Sequence, residues 1–435
     1  MGSTIRSLSV AVESSFGSIV SSTGLPDRTL TYVSIPCEKD PIVIYGDETP
    51  MSERNEARDG SFQFPPEPDT VYTSGTREQR RQGTISIRCD LTTIGTASTS
   101  YDSNYLGYLL GAGLLTAKHT QTTNQTWTAT TVNHLVNATI ASTDYTVGGL
   151  ISTEINGRAE YSSISSNNRL TTGLDLSITP ALSGTTIGDI NPLQTWFPAS
   201  RALTGTTTHT LSFRVDGVDF KSYSWGCVLE SCNISVDGGR LMADMTFRAC
   251  IIQDDHSTAT GPVEPVYNTG SPPLFRGAYC VVSSGSPTSH PDVSGSQGDE
   301  LLRTELDCEG FTFNITNSLV PKGLSNDIRG MSGYEVSESL VEATITLSTV
   351  NTTIASDFYN QTLRNLLIGT GPIGDGKGCC LMIPAAFQAN DKASQYDVGG
   401  NDIVRQSLTF RSTRYGGDIA STGAGNSPFR LALGV

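Results

Sequence analysis

The sequence predicts a mainly β protein, and three observations carry that prediction. Charged residues make up only 16% of the 435 residues, and Ser, Thr, Asn and 44 Gly fill much of the remainder. Such a composition suits pleated sheets and turns better than helix bundles. Apolar and polar residues also alternate with period two, as in residues 30–35 and 85–91. Only two segments carry a helical pattern.

Residues 1–37 read as a small strand region ending in Leu30-Thr31-Tyr32-Val33-Ser34-Ile35. Residues 38–82 change character: Phe64-Pro65-Pro66-Glu67-Pro68 sits inside them and Arg77-Glu78-Gln79-Arg80-Arg81 closes them. A connection this long is usually an arm with a task. It keeps Ile42, Val43, Ile44, Tyr45, Phe62 and Phe64, so it is expected to dock on a neighbour. A strand over 84–91 follows, with Cys89 in an inward slot. A first helix is expected over 105–110, capped by Asp102 or Ser103, with Leu106, Leu109 and Leu110 inward and Gly111 or Gly113 at its end.

Residues 116–190 are expected to be an inserted small β subdomain. Within it Asn156-Gly157 is a strong hairpin turn, and Leu174, Leu176 and Ile178 alternate up to Pro180. Beyond the strand at 211–215, Asp237-Gly238-Gly239 marks another hairpin. Residues 254–300, rich in Pro, Gly and Ser, are expected to form a long exposed loop. A second helix is expected from Ser356, burying Tyr359, Leu363, Leu366 and Leu367 and ending at Gly369.

These elements form one programme written twice. Thr84-Ile85-Ser86-Ile87, a helical run and His209-Thr210-Leu211-Ser212-Phe213-Arg214 match Thr344-Ile345-Thr346-Leu347, a helical run and Gln406-Ser407-Leu408-Thr409-Phe410-Arg411. From Leu110 to Leu211 there are 101 residues, and from Leu367 to Leu408 only 41; the 60-residue difference is the insertion. The expected organisation is a first module over 1–115 and 191–217, the insertion at 116–190, and a second module over 218–435.

No catalytic, cofactor-binding or metal-binding residue is expected. His119, His134, His209, His256 and His290 show no metal-ligand spacing. No nucleophile elbow or phosphate-binding loop is present. Gly369-Thr370-Gly371-Pro372 and Gly374-Asp375-Gly376-Lys377-Gly378 follow a helical run instead of preceding one, so they read as plain turns. Asp254-Asp255-His256 reads as solvated loop. The nine Cys (37, 89, 227, 232, 250, 280, 308, 379 and 380) form no regular framework and are expected as small reduced hydrophobes. A formal charge of −15 argues against a static nucleic-acid binder. Arg77, Arg80 and Arg81, interleaved with Glu78, are expected in a protein contact. No segment approaches a membrane span and the start lacks a secretory pattern, so synthesis in a cytoplasm without an anchor is expected.

The chain resembles the bacteriophage tail tube proteins, also called major tail proteins. The resemblance rests on residues 83–91 leading into 104–115, on 147–164 with its Asn156-Gly157 turn, and on Leu211-Ser212-Phe213-Arg214 followed by 225–247. It covers most of 80–250 and, more loosely, 305–435. It implies β-sandwich modules each flanked by one helix, rings that stack into the tube of a long non-contractile tail, and a location in the virion. A chain with two modules implies three subunits per pseudo-hexameric ring; one module implies six. It also implies tape measure, tail terminator and baseplate proteins as partners. DNA would pass without specific binding, and the −15 charge leads to the expectation of an acidic bore that repels phosphates. Two other readings stand beside it: a capsid decoration or tail fibre protein, and a carbohydrate-active enzyme. The last would want more than the three tryptophans Trp127, Trp196 and Trp225.

Overall fold

The computed structural model describes residues 5–13, 16–17, 29–37, 42–45, 82–91, 105–112, 115–120, 125–139, 145, 148–170, 173–191, 193–198, 210–217, 221–255, 274–284, 304–323, 331–351, 354, 357–370, 378–389, 395–398, 404–413 and 428–434. The expected class is borne out: among these residues strands dominate and only two short helices occur.

In chain order, β1 (Ile5–Val12), β2 (Val33–Ser34), β3 (Ile42–Tyr45) and β4 (Gly83–Asp90) precede helix α1 (Tyr105–Gly111) and β5 (Leu115–Thr120). Next come β6 (Thr128–Thr131), β7 (His134–Asn137), β8 (Leu150–Ile155), β9 (Arg158–Arg169), β10 (Leu174–Thr179) and β11 (Ile190–Asn191). They are followed by β12 (Leu193–Pro198), β13 (Leu211–Gly217), β14 (Lys221–Asp237), β15 (Arg240–Ala249), β16 (Ile251–Asp255) and β17 (Tyr279–Ser284). The last part holds β18 (Thr304–Glu305), β19 (Cys308–Gly323), β20 (Met331–Leu347), helix α2 (Asp357–Asn360), β21 (Arg364–Gly369), β22 (Cys379–Gln388), β23 (Gln395–Val398), β24 (Val404–Ser412) and β25 (Arg430–Gly434).

All the strand pairs are antiparallel. One sheet runs β3-β4-β15-β14-β19-β20-β24-β23. A second runs β5-β12-β25-β22-β21-β17-β18. Strand β22 ties them together, because Ala386–Gln388 pairs with the end of β24. The inward side chains of the two sheets share one core, with Ile87, Phe247, Ile234, Phe313, Ile345 and Phe410 from the first and Ile368, Leu381, Ile383, Leu431 and Leu433 from the second. This is sheet-on-sheet packing, the sandwich the sequence predicts.

Strand β14 is shared with a further group, β2-β1-β13-β14-β16. It leaves that group and enters the first sheet at Gly226, whose φ of 63° lies in the left-handed region. The freed N–H of Gly226 donates to the buried carboxylate of Glu13 at 3.1 Å. A Cβ at this position would lie 2.7 Å from Cys250 Cβ and 3.2 Å from the Phe16 ring. Gly226→Ala therefore combines a left-handed alanine with overpacking, and an expected loss of about 2–4 kcal/mol should show in urea unfolding.

Helix α1 forms as expected, burying Tyr105, Leu106, Leu109 and Leu110. Its predicted cap, Asp102 or Ser103, lies outside the described residues. The apolar stripe packs into the main core beside β1 and β5.

Strands β6 to β11 make a separate six-stranded sheet ordered β11-β8-β9-β10-β7-β6. Its β8–β9 turn is the predicted Asn156-Gly157, with φ of 53° and 80° as a type I′ turn requires. Ile151, Ile164, Leu174, Leu176 and Trp127 form its own core on one face. On the other, Leu150, Ala159 and Tyr161 pack against Leu367, Cys380, Met382 and Ala432 of the second sheet. The layers thus run from the first sheet to the second to the six-stranded sheet.

Several expectations are corrected. The second helix is not formed over 356–368. A single turn, α2, is followed by strand β21, in which Leu366, Leu367 and Ile368 are all buried while Tyr359 is 74% exposed. The strand lies between two packed layers, so both its faces are apolar and the sequence loses its alternation. The duplication is not confirmed. Residues 344–347 pair directly with 406–409, whereas 84–87 pair with β3 and β15 and never with 211–214. The stretch 254–300 is not loop throughout, since β17 within it is buried between β18 and β21. Its apolar core of Tyr279, Val281 and Val282 is hidden by flanking loop-like composition. Of the 38–82 arm, Ile42–Tyr45 is an edge strand on β4; residues 46–81, with Arg77, Arg80 and Arg81, lie outside the described residues.

Candidate functional site

The first sheet has two chemically different faces. Strand alternation sends Ile85, Ile87 and Cys89 of β4 inward and Thr84, Ser86, Arg88 and Asp90 to the other side. The same division holds on β19, where Phe311, Phe313 and Ile315 are buried and Thr312, Asn314 and Thr316 are not. Strand β24 adds Ser407, Thr409 and Arg411 to the polar side. The result is a wall of mainly polar and charged side chains from β4 to β24, interrupted by Met242 and Leu340.

One register row crosses the six strands β4, β15, β14, β19, β20 and β24 as Arg88, Asp244, Asn233, Asn314, Glu342 and Arg411. Cations stand at both ends, carboxylates next to them and amides in the middle. Neighbouring rows are rich in hydroxyls. Ser86 and Thr246 share a hydrogen bond of 3.0 Å, as do Thr344 and Thr409. Cross-strand hydroxyl and opposite-charge pairs stabilise a sheet by roughly 0.2–1 kcal/mol each.

The arginines along this sheet are held by carboxylates. Arg88 binds Asp237 and lies 3.8 Å from Asp244. Arg240 lies 3.6 Å from Asp90. Arg248 binds Glu230, Arg405 binds Glu309 at 2.6 Å, and Arg411 binds Glu342. The sequence gives little hint of this pairing, because each partner comes from another strand.

Other candidates do not converge. His134 sits on β7 with Nδ1 3.4 Å from Asp175, apart from the wall. His119 lies on β5; His209, His256 and His290 are outside the described residues. Asp254 and Asp255 end strand β16 opposite Ser222 and Lys221, so they are not the loop expected of them. Gly369 ends β21 and Thr370 is buried, while residues 371–377 lie outside the described residues. Trp127, Trp196 and Trp225 are all buried, so none offers a stacking platform for a sugar. The hollow between the two sheets is lined by Ile234, Leu241, Phe313, Leu381 and Leu431, with no carboxylate or histidine among its lining residues. Among the described residues no group of His, Cys, Asp and Glu has metal-site geometry.

The nine cysteines are unbridged. Cys89, Cys227, Cys232, Cys250, Cys280, Cys379 and Cys380 are buried; Cys37 and Cys308 are half-buried. Burial pushes the Cys232 and Cys379 thiols up to about 12, and raises Cys89 and Cys380 well above the usual range. The thiolate is the reactive form, so a raised value means slow reaction at pH 8. An Ellman titration of the native chain should count Cys37 and Cys308 quickly and the other seven only after denaturation.

Among the described residues no helix is long and apolar enough to cross a membrane. A family model described as phage tail tube protein matches residues 5–412. No curated protein matches the chain.

Proposed function

Since the chain belongs to the phage tail tube protein family, we propose that it polymerises into stacked rings whose bore is lined by the polar wall of the first sheet. As a member of that family it is a structural protein of the virion tail. The observation that carries the bore reading is the two-faced sheet: one face closes a hydrophobic core, and on the other the strands from β4 to β24 present mainly polar and charged groups.

With the wall turned to the bore, the six-stranded sheet would lie on the outside of the tube. Ring contacts would come from the β3 and β23 edges, where main-chain groups of one subunit pair with those of the next. Closing the ring removes those edges and with them a route to aggregation. Stacking is head-to-tail and so propagates, with the tail terminator and baseplate proteins at its ends and the tape measure protein inside. The long non-contractile tail, DNA ejection and these partners are part of the proposal.

Strand spacing favours a ring of three. Neighbouring strands are about 4.8 Å apart, so eight span roughly 38 Å. Three copies side by side give a perimeter of about 115 Å and a bore about 37 Å across between strand axes, before side chains narrow it. Six copies would double it, far wider than one duplex needs. We retain the division into 1–115 with 191–217, 116–190, and 218–435. The 217/218 boundary falls between β13 and β14, and both β13–β14 and β4–β15 pairs cross it.

Electron microscopy of the purified protein tests this reading. Hollow tubes with threefold rings and the first sheet innermost are the expected result. Sixfold rings would overturn the count. A chain that stays monomeric even with its tail partners would point to a decoration or fibre role.

A further inference from the structure

The −15 net charge leads one to expect an acidic bore, and on the described part of the wall the arginines present are all held by carboxylates. Its arginines are Arg88, Arg240, Arg248, Arg405 and Arg411; the carboxylates that hold them are Asp90, Asp237, Asp244, Glu230, Glu309 and Glu342. That is five positive groups against the six negative ones that touch them, and Glu338, exposed on the same face of β20, adds a seventh. Between them lie hydroxyls and amides that already bond across strands, such as Ser86 with Thr246 and Thr344 with Thr409.

We infer that the cations of the wall are self-neutralised: each described arginine is cancelled by a carboxylate of its own chain, so a passing nucleic-acid duplex meets no free cation that would grip its phosphates. This rests on the reading of the wall as the bore lining. The physics favours such an arrangement for a conduit. An unpaired arginine repeated around every ring would bind phosphates and release counterions, adding about 0.9 to the salt slope for each contact. A purely acidic wall would repel the duplex over roughly a Debye length of 10 Å at 0.1 M salt. Paired charges cancel within a few ångströms, and the field a phosphate feels is that of weak dipoles.

The pairs also define what should break the property. Glu342 is the partner of Arg411 at the end of the long register row. Glu342→Gln removes one negative charge and frees one arginine per subunit on the wall. Glu154 is exposed on β8, in the six-stranded sheet, and Glu154→Gln changes the net charge equally on the opposite side of the layers. Thr346→Lys, two positions along β20 from Thr344, places a new cation on the wall without removing a carboxylate.

Assembled tubes of each variant would be incubated with short duplex DNA and pelleted over a salt series. Wild-type and Glu154→Gln tubes are expected to retain little DNA at any salt. Glu342→Gln tubes should retain at least several-fold more at low salt and lose it between about 50 and 200 mM. Thr346→Lys should behave alike, which keeps the test open if Glu342→Gln tubes fail to assemble. Salt-dependent retention by wild type, or no gain in either wall variant, overturns the inference. A separate measurement checks the reading beneath it. A thiol introduced by Ser407→Cys should react, in tubes, with a small maleimide and not with a large polymer-linked one. Equal reaction with both would place the wall outside the bore and remove reading and inference together, whatever the DNA result.

Discussion

Tyr161→Ala is expected to cost about 3–5 kcal/mol and to loosen the six-stranded sheet from the sandwich beneath it. Tyr161 is fully buried on β9 and stands in the seam between the layers, among Leu150, Tyr279, Leu367 and Met382. Its hydroxyl donates to the Thr370 carbonyl at 2.8 Å, so the ring is anchored at both ends. Burial pushes its phenol well above the usual range, which keeps the donor proton in place. The ring lies so close to β21 that a Cβ on Gly369 would come within 2.3 Å of it. Gly369→Ala should therefore cost about 1–3 kcal/mol through overpacking at the same seam. Tyr161→Phe isolates the hydroxyl: it leaves the ring and strands one buried carbonyl, for about 1–3 kcal/mol. Urea unfolding gives the totals, and amide exchange locates them. Protection should fall first on β8 and β9 in Tyr161→Ala, before the main core responds. A loss under about 1 kcal/mol, or uniform loss of protection, would mean that this seam does not hold the layers together.

The same seam explains what the sequence shows and what it hides. Strands with one face in the core and one on the wall announce themselves. Thr84-Ile85-Ser86-Ile87 and Phe311-Thr312-Phe313-Asn314-Ile315 alternate, and β4 and β19 contain them. The Asn156-Gly157 turn is equally legible, because few residues accept two consecutive left-handed conformations. Helix α1 is legible too, since its leucines keep helical spacing against a single buried side. Strands covered on both sides are not. In β21, Leu366 and Ile368 face the main core while Leu367 faces the six-stranded sheet, so three consecutive apolar residues mimic a helix segment. Strand β17 is lost for the opposite reason, being short and set in a Pro- and Gly-rich stretch. The apparent repeat is not confirmed, since short Thr-rich strands resemble one another whatever their neighbours and the matched strands pair differently in the two halves. The chemistry of the wall shows only half: its Ser and Thr are visible as the outward residues of alternating strands. Its ion pairs join residues far apart in the chain, 149 positions for Arg88 and Asp237, and spacing along the chain carries no trace of them.

Arg364→Ala is the second change expected to cost about 3–5 kcal/mol, because it strands a buried carboxylate. Asp357 opens the single turn of α2 and its side chain is 4% exposed. Arg364 begins β21 and grips it through two bonds, Nε to Oδ2 at 2.7 Å and Nη2 to Oδ1 at 2.8 Å. The backbone N–H of Thr362 also donates to the Asp357 carbonyl at 3.1 Å. The turn therefore closes on itself within seven residues and delivers the chain into β21, where a continuing helix would have carried Leu366 and Leu367 past the second sheet. In a helix Asp357 and Arg364 would be two turns apart; here the reversal brings them into bidentate contact. Asp357→Ala should cost less than Arg364→Ala, since the guanidinium left behind is 15% exposed and closer to water. The double variant should be no worse than Arg364→Ala alone, because it removes the stranded charge along with its partner. A thermodynamic cycle from urea unfolding of the four proteins measures this coupling. Additive losses would show that the pair does not act as a unit. The single turn would then owe its shape to the burial of Leu366, Leu367 and Ile368 on the two faces of β21, and not to the ion pair that closes it.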